Sequence, residues 1–241
     1  MERGRKWAKE LGVPFEPDLQ SVLANPSIDA IVVNTPTNLH KEIILAAANN
    51  KKHIFTEKVL AFSVKDCEEI FNTVEAQGVK LMVSLPRLTK DYYLYAKKVV
   101  DKGWLGKLTM ISCRLAHNGA VPSKGETQDW LPAQFFDKEQ CGTEGTLLIE
   151  DERIRLKSSQ LGDEEWIHPE GIDSSLPMPL EQWAAFIKDG TVPTITKEDV
   201  IHLTLINEAA ALSDQESRRI ELTEIVKDQE NTRVKDPSIL G

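Results

Sequence analysis

The chain has 241 residues, 41% of them hydrophobic and 28% charged, with a formal net charge of −9. This is the composition of a globular protein with length for one large domain or two small ones, and its acidic balance argues against a nucleic-acid partner. No run of about 18 apolar residues is present to span a membrane, and the basic start MERGRKWAKELG has no apolar stretch of the kind a secretory signal needs.

The three cysteines, Cys67, Cys113 and Cys141, are odd in number and far apart, with no C-x-x-C pair. That spacing argues against a disulfide framework and a structural zinc site. It points to a reducing, cytoplasmic compartment.

Residues 2–11 read as a helix with Trp7 and Leu11 on one face, ended by Gly12 and Pro14. IDAIVVN, 28–34, is a largely continuous β-branched run, the pattern of a strand covered on both faces. TPTN breaks it, and LHKEIILAAANN reads as a helix with Ile43, Ala46 and Ala47 on one face. HIFT, 53–56, is the next strand. Ser63 with Asp66 three residues on is close to a capping box. The helix they open carries Val64, Cys67, Ile70, Phe71 and Val74 inward and ends at Gly78, and VKLMVS, 79–84, is a further strand. The alternation of helix and strand with short connections predicts a parallel sheet.

Ligands of such sheets bind beyond the carboxyl ends of the strands. Three loops leave there: NTPTNLH, TEKV and SLPRL. Glu57 and Lys58 therefore stand at the ligand edge. Position alone leaves two readings of the pair, a solvated turn or a group facing a ligand.

Further on, DYYLYAKKVVDKGWLGKLTMISCRLAH reads as helix, glycine-bounded turn and long strand. GTLLIED and RIRLKSS alternate about Asp151–Glu152 as a hairpin. PLEQWAAFIKDG is an amphipathic helix with Leu180, Trp183 and Phe186 inward. A second helix begins at Thr196, with Asp199 giving an approximate capping box. The last dozen or so residues are polar and are expected to fray.

The segment IDAIVVNTPTNLHKEIILAAANNKKHIFTEKVLA resembles the central part of the glucose–fructose oxidoreductase / inositol dehydrogenase / MocA family. Both T-P-x-x-x-H and K-H-x-x-x-E-K occur at the family's spacing. The resemblance implies an N-terminal Rossmann domain, a C-terminal open-faced sheet, and NAD or NADP as cofactor. It implies that Thr35, Pro36, Asn38 and His40 line the dinucleotide, that Glu57 lies by the nicotinamide and that Lys58 is the catalytic-site lysine. It also makes RRIEL the closing strand of the second domain.

The sequence departs from that family in three places. No segment supplies a G-x-G-x-x-G turn, which brings backbone N–H groups to a pyrophosphate, nor the acidic residue that reads the ribose. After LPAQFFDKEQCG the chain passes directly into TEGTLLIED, without the D-x-G-x-H motif whose histidine partners the family's lysine. His117 is the one stand-in by role, while His53 and His202 read as core or helix surface and His168 as loop. Val59 stands where the family has proline.

The expected fold is thus α/β: an incomplete Rossmann-type parallel sheet over 1–86, then the remnant of an α+β open-faced sheet domain over 87–241. The expected protein is an NAD(P)-dependent oxidoreductase of a sugar, polyol or related hydroxy compound, impaired in this chain. The alternative is a non-catalytic binding or oligomerisation module. The expected partners are a small-molecule substrate and further copies of the chain, with no nucleic acid, membrane or metal.

Overall fold

The computed structural model describes residues 2–116, 135–150, 153–163 and 176–226. The chain forms two compact units, Met1–Leu85 with Pro177–Gly241, and Pro86–Leu176.

The first unit opens with α1 (Glu2–Leu11). Gly12 takes a left-handed conformation, and Val13 N–H returns to Ala8 O at 3.0 Å, closing the helix. Ala8, not the Trp7–Leu11 face, is the buried side: Trp7 is 57% and Leu11 67% exposed. The short α2 (Leu19–Ala24) is capped by Asp18, which accepts from Ser21 N–H at 2.9 Å.

Three strands follow, β1 (Ala30–Val33), β2 (His53–Thr56) and β3 (Leu81–Val83), all parallel and in the spatial order β1-β2-β3. Their connections are α3 (Thr37–Asn49) and α4 (Val64–Gln77). This is the predicted α/β arrangement. α3 begins earlier than the pattern implied, and its buried stripe is His40, Ile44, Ala47 and Ala48. That stripe lies one residue on from the expected Ile43–Ala46 face, because the polar His40 joins it. α4 buries Val64, Cys67, Ile70 and Val74, while Phe71, also expected inward, is half-buried. Ser63 caps it, and Gly78 ends it at φ 68°.

Two later helices complete this unit. α6 (Pro179–Asp189) brings Trp183 to the Phe55 ring, centroids 5.6 Å apart. Leu180, expected inward, is exposed. Gln182 is buried in its place, where its carbonyl accepts from Thr194 N–H at 2.9 Å and its amide donates to Pro177 O at 2.8 Å. α7 (Lys197–Glu216) packs on α4. Its capping box closes in both directions with Asp199: Thr196 N–H donates at 2.8 Å and Asp199 N–H donates back at 3.1 Å. Thr204 meets Cys67, and Lys197 lies over the Phe71 ring. These contacts group α6 and α7 with the parallel sheet, whereas the sequence places 87–241 in one unit. RRIEL is not a strand; residues 222–226 form a short helical turn. The polar tail expected to fray lies outside the described residues.

The second unit contains α5 (Asp91–Asp101) and an antiparallel meander, β4 (Leu108–Ala116), β5 (Phe135–Gly142), β6 (Gly145–Glu150), β7 (Arg153–Ser158) and β8 (Gly162–Asp163). The predicted hairpin is β6–β7, in register from Gly145↔Ser158 to Glu150↔Arg153. Leu147, Ile149, Ile154 and Leu156 share one face and pack with Tyr92, Ala96, Val99 and Leu105. Gly145 is required here: a Cβ would strike the Lys157 carbonyl oxygen.

Candidate functional site

The carboxyl ends of β1 and β2 are held together by a few short bonds. Thr56 Oγ1, at the end of β2, donates to Val33 O at 3.2 Å, and Glu57 N–H reaches the same oxygen at 3.4 Å. Beyond this point the chain leaves the sheet and the next two side chains, Glu57 and Lys58, are exposed. Lys58 thus lies two residues past the end of a parallel strand, at the edge where a doubly wound sheet holds its ligand. The Lys58–Val59 peptide is cis.

Among the described residues neither Glu57 nor Lys58 has an ion-pair partner. The pair is therefore not a salt bridge. The exposed Lys58 ammonium is without a protein carboxylate among these residues.

Across from it runs the loop after β1. Thr35 is half-buried, and its Oγ1 has no partner among the described residues. Pro36 is exposed and forms the N-cap of α3, with no side-chain cap and no acidic residue in the first turn. The first N–H groups of α3 are thus uncompensated by any carboxylate of that turn, a setting that favours an anionic group. Asn38 is exposed on that turn.

His40 is placed differently from the other expected residues. It is 1% exposed. Its Nε2 lies 2.9 Å from Thr35 O, and its Nδ1 lies 3.1 Å from Val59 O and 3.3 Å from Leu60 O. The resemblance implies a dinucleotide-lining side chain, whereas the helical spacing of His40 from Ile44 and Ala47 puts it on the buried stripe.

Two other features escaped the sequence. Glu208 of α7 accepts from Val64 N–H, the first N–H of α4, at 2.8 Å. His53 Nδ1 accepts from Lys80 N–H at 2.9 Å, and burial followed by the Lys80 charge holds its pKa below the ordinary histidine value. His202 is exposed on α7, and His117 and His168 lie outside the described residues. Those residues include no group of three or more His, Cys, Asp or Glu side chains placed to hold a metal, and no helix long and apolar enough to cross a membrane.

A parallel sheet with crossover helices, with an open helix N-terminus and an unpartnered hydroxyl at its carboxyl edge, places these groups where α/β folds of this kind hold their ligands. The class narrows on comparison. Residues 1–85 match the family described as "Oxidoreductase family, NAD-binding Rossmann fold".

Among characterised relatives, 2,7-anhydro-N-acetylneuraminate hydratase of Mediterraneibacter gnavus is 35% identical over 118 residues, covering 49% of this chain and 31% of that protein. The scyllo-inositol 2-dehydrogenase (NAD(+)) of Bacillus subtilis is 34% identical over 123 residues, covering 51% and 36%. The chain thus spans about a third of the length of these relatives. Among solved structures, levoglucosan dehydrogenase in complex with NADH and L-sorbose superposes with a TM-score of 0.71 at 15% identity, covering 94% of this chain and 88% of that one. Biliverdin reductase of Synechocystis sp. PCC 6803, with biliverdin and NADP+, gives 0.67 at 15% identity, covering 87% of each. These two likenesses concern the fold.

Proposed function

We propose that the chain derives from a nicotinamide-dependent oxidoreductase of a sugar, polyol or related hydroxy compound, with Lys58 as the group that meets the substrate. The observation that carries this reading is the position of Lys58, just beyond a parallel strand, exposed, unpaired among the described residues and opposite the Thr35 loop. The NADH- and NADP+-bound neighbours and the inositol dehydrogenase relative support the cofactor and substrate class.

Hydride transfer is the chemistry that NAD or NADP supplies when bound. Thr35, Pro36 and Asn38 would hold the dinucleotide at the start of α3, and Glu57 would stand on the nicotinamide side. The Lys58 ammonium donates a hydrogen bond to the substrate hydroxyl and stabilises the alkoxide as negative charge develops on that oxygen. His40 is committed to backbone oxygens and moves no proton.

We further propose that these 241 residues alone do not turn substrate over. They hold no glycine-rich turn, and no described histidine with a free ring edge stands by Lys58. Loss of a proton-transfer group typically costs about 100- to 10,000-fold in rate. Assays with myo-inositol, scyllo-inositol and monosaccharides, each with NAD+ or NADP+, should give no rate above the buffer control. A rate that vanishes in Lys58→Ala would keep the lysine and refute the impairment. A rate that survives Lys58→Ala would refute its role.

A non-catalytic binding or oligomerisation module is the second reading. One observation favours it: β1 is an edge strand of its sheet among the described residues, with Val32 52% exposed.

A further inference from the structure

Lys58 carries its charge on a flexible four-carbon stem, so only its backbone anchors limit where the ammonium goes. On the N-terminal side the anchor is β2, through the Thr56 and Glu57 bonds to Val33 O. On the C-terminal side the sheet gives nothing, because β2 has ended.

The histidine ring fills that gap. Its Nδ1 faces Val59 O at 3.1 Å and Leu60 O at 3.3 Å, the carbonyls that directly follow Lys58. Its opposite edge, Nε2, faces Thr35 O at 2.9 Å, in the loop after β1. The ring is itself fixed, being 1% exposed on the buried stripe of α3 with Ile44 and Ala47. Leu60, beneath it, is fully buried.

We infer that His40 is the positioning residue of the Lys58 site: its imidazole clasps the loops after β1 and β2 and so sets Lys58 against Thr35. Carbonyl oxygens only accept and a neutral imidazole carries one N–H, so the ring donates to one loop and packs against the carbonyl of the other, with both nitrogen edges turned to protein. A flat ring with nitrogens at two edges can reach both loops. Asparagine can offer N–H groups from one nitrogen only, and leucine offers none. Losing the ring leaves part-buried carbonyls without a donor, and the 57–60 loop relaxes toward water to satisfy them. The functional weight of the inference rests on Lys58 acting on substrate, but the clasp does not.

The test is the reactivity of Lys58 toward reductive methylation, followed residue by residue by mass spectrometry in the 241-residue chain. The exposed Lys9 and Lys188 serve as internal references. In His40→Leu the Lys58 rate relative to the references should change about fivefold, the factor set by one hydrogen bond of ordinary strength. His40→Asn, which keeps one donor, should fall between His40→Leu and the parent. An unchanged relative rate in a folded His40→Leu protein would overturn the inference. If His40→Leu fails to fold, the parent protein decides: a His40 ring N–H protected from solvent exchange in its proton spectrum is expected, and an unprotected one overturns the clasp. Turnover that ignores Lys58→Ala while the His40 effect persists would instead count against the catalytic reading of Lys58.

Discussion

Replacing Glu208 with alanine removes the carboxylate that α7 sends to the start of α4. Glu208 accepts from Val64 N–H at 2.8 Å, while Ser63 Oγ accepts from Asp66 N–H at 3.2 Å. Two of the four N–H groups that a helix start leaves open are thus satisfied, one of them by a residue 144 positions later. Hydrogen bonds to charged groups contribute about 1.5–3 kcal/mol, and a carboxylate at a helix N-terminus adds a few tenths more. Glu208 is half-buried, so solvent weakens the interaction and the lower end applies, about 1.5 kcal/mol. With an m-value of about 3 kcal/mol/M, the urea midpoint should fall by about 0.5 M in Glu208→Ala. Glu208→Gln keeps an acceptor and should lose about half as much. His202→Ala, on an exposed position of the same helix, should stay within about 0.5 kcal/mol of the parent. Midpoints followed by circular dichroism give the comparison. If Glu208→Ala costs no more than His202→Ala, α7 does not cap α4 and the first unit is not built as described.

Three further outcomes follow from single contacts. The Lys80 N–H needs the lone pair of His53 Nδ1, and both burial and the Lys80 charge oppose the cation, with only Asp29 favouring it. The unfolded chain therefore takes up this proton first. Stability is full above about pH 6.5 and falls with pH through that value toward the lower folded pKa; in urea midpoints taken against pH, His53→Asn should flatten the fall. Cys67 is fully buried against Thr204, and burial pushes its thiol pKa up. Iodoacetamide should label it only after denaturant is added, and rapid labelling of the native chain would contradict that placement. The outer edge of β1, with Val32 exposed, should draw copies of the chain together. Sedimentation should show association that Val32→Lys reduces, and a clean monomer at high concentration would count against it.

The parallel sheet was legible because each of its strands is an apolar run bounded by turn residues, and α4 was legible because Ser63, Asp66 and Gly78 mark both ends. Amphipathic faces were read less well. Trp7 and Leu11 lie at helical spacing, yet their face of α1 meets no partner among the described residues and stays exposed. On α6 the pattern favoured Leu180, while the structure buries Gln182, whose amide is satisfied by Pro177 and Thr194. Hydropathy cannot register such pairing in advance. His40 shows the same limit at the site. Its motif pointed to a ligand contact, and its partners are three backbone oxygens that no sequence pattern specifies. The resemblance made RRIEL a strand, but Arg218 pairs locally with Glu216 and Glu224, and the segment leads into the short helical turn at 222–226.

The measurement that bears most directly on the account is a titration of NADH into the purified 241-residue chain, followed by nicotinamide fluorescence. The proposed dinucleotide contacts at Thr35, Pro36 and Asn38 are within these residues, but a glycine-rich turn for the pyrophosphate is not. The account predicts no saturable binding in the micromolar range. Saturable micromolar binding that is lost in Lys58→Ala would contradict it, because these residues would then form a working cofactor site without the turn.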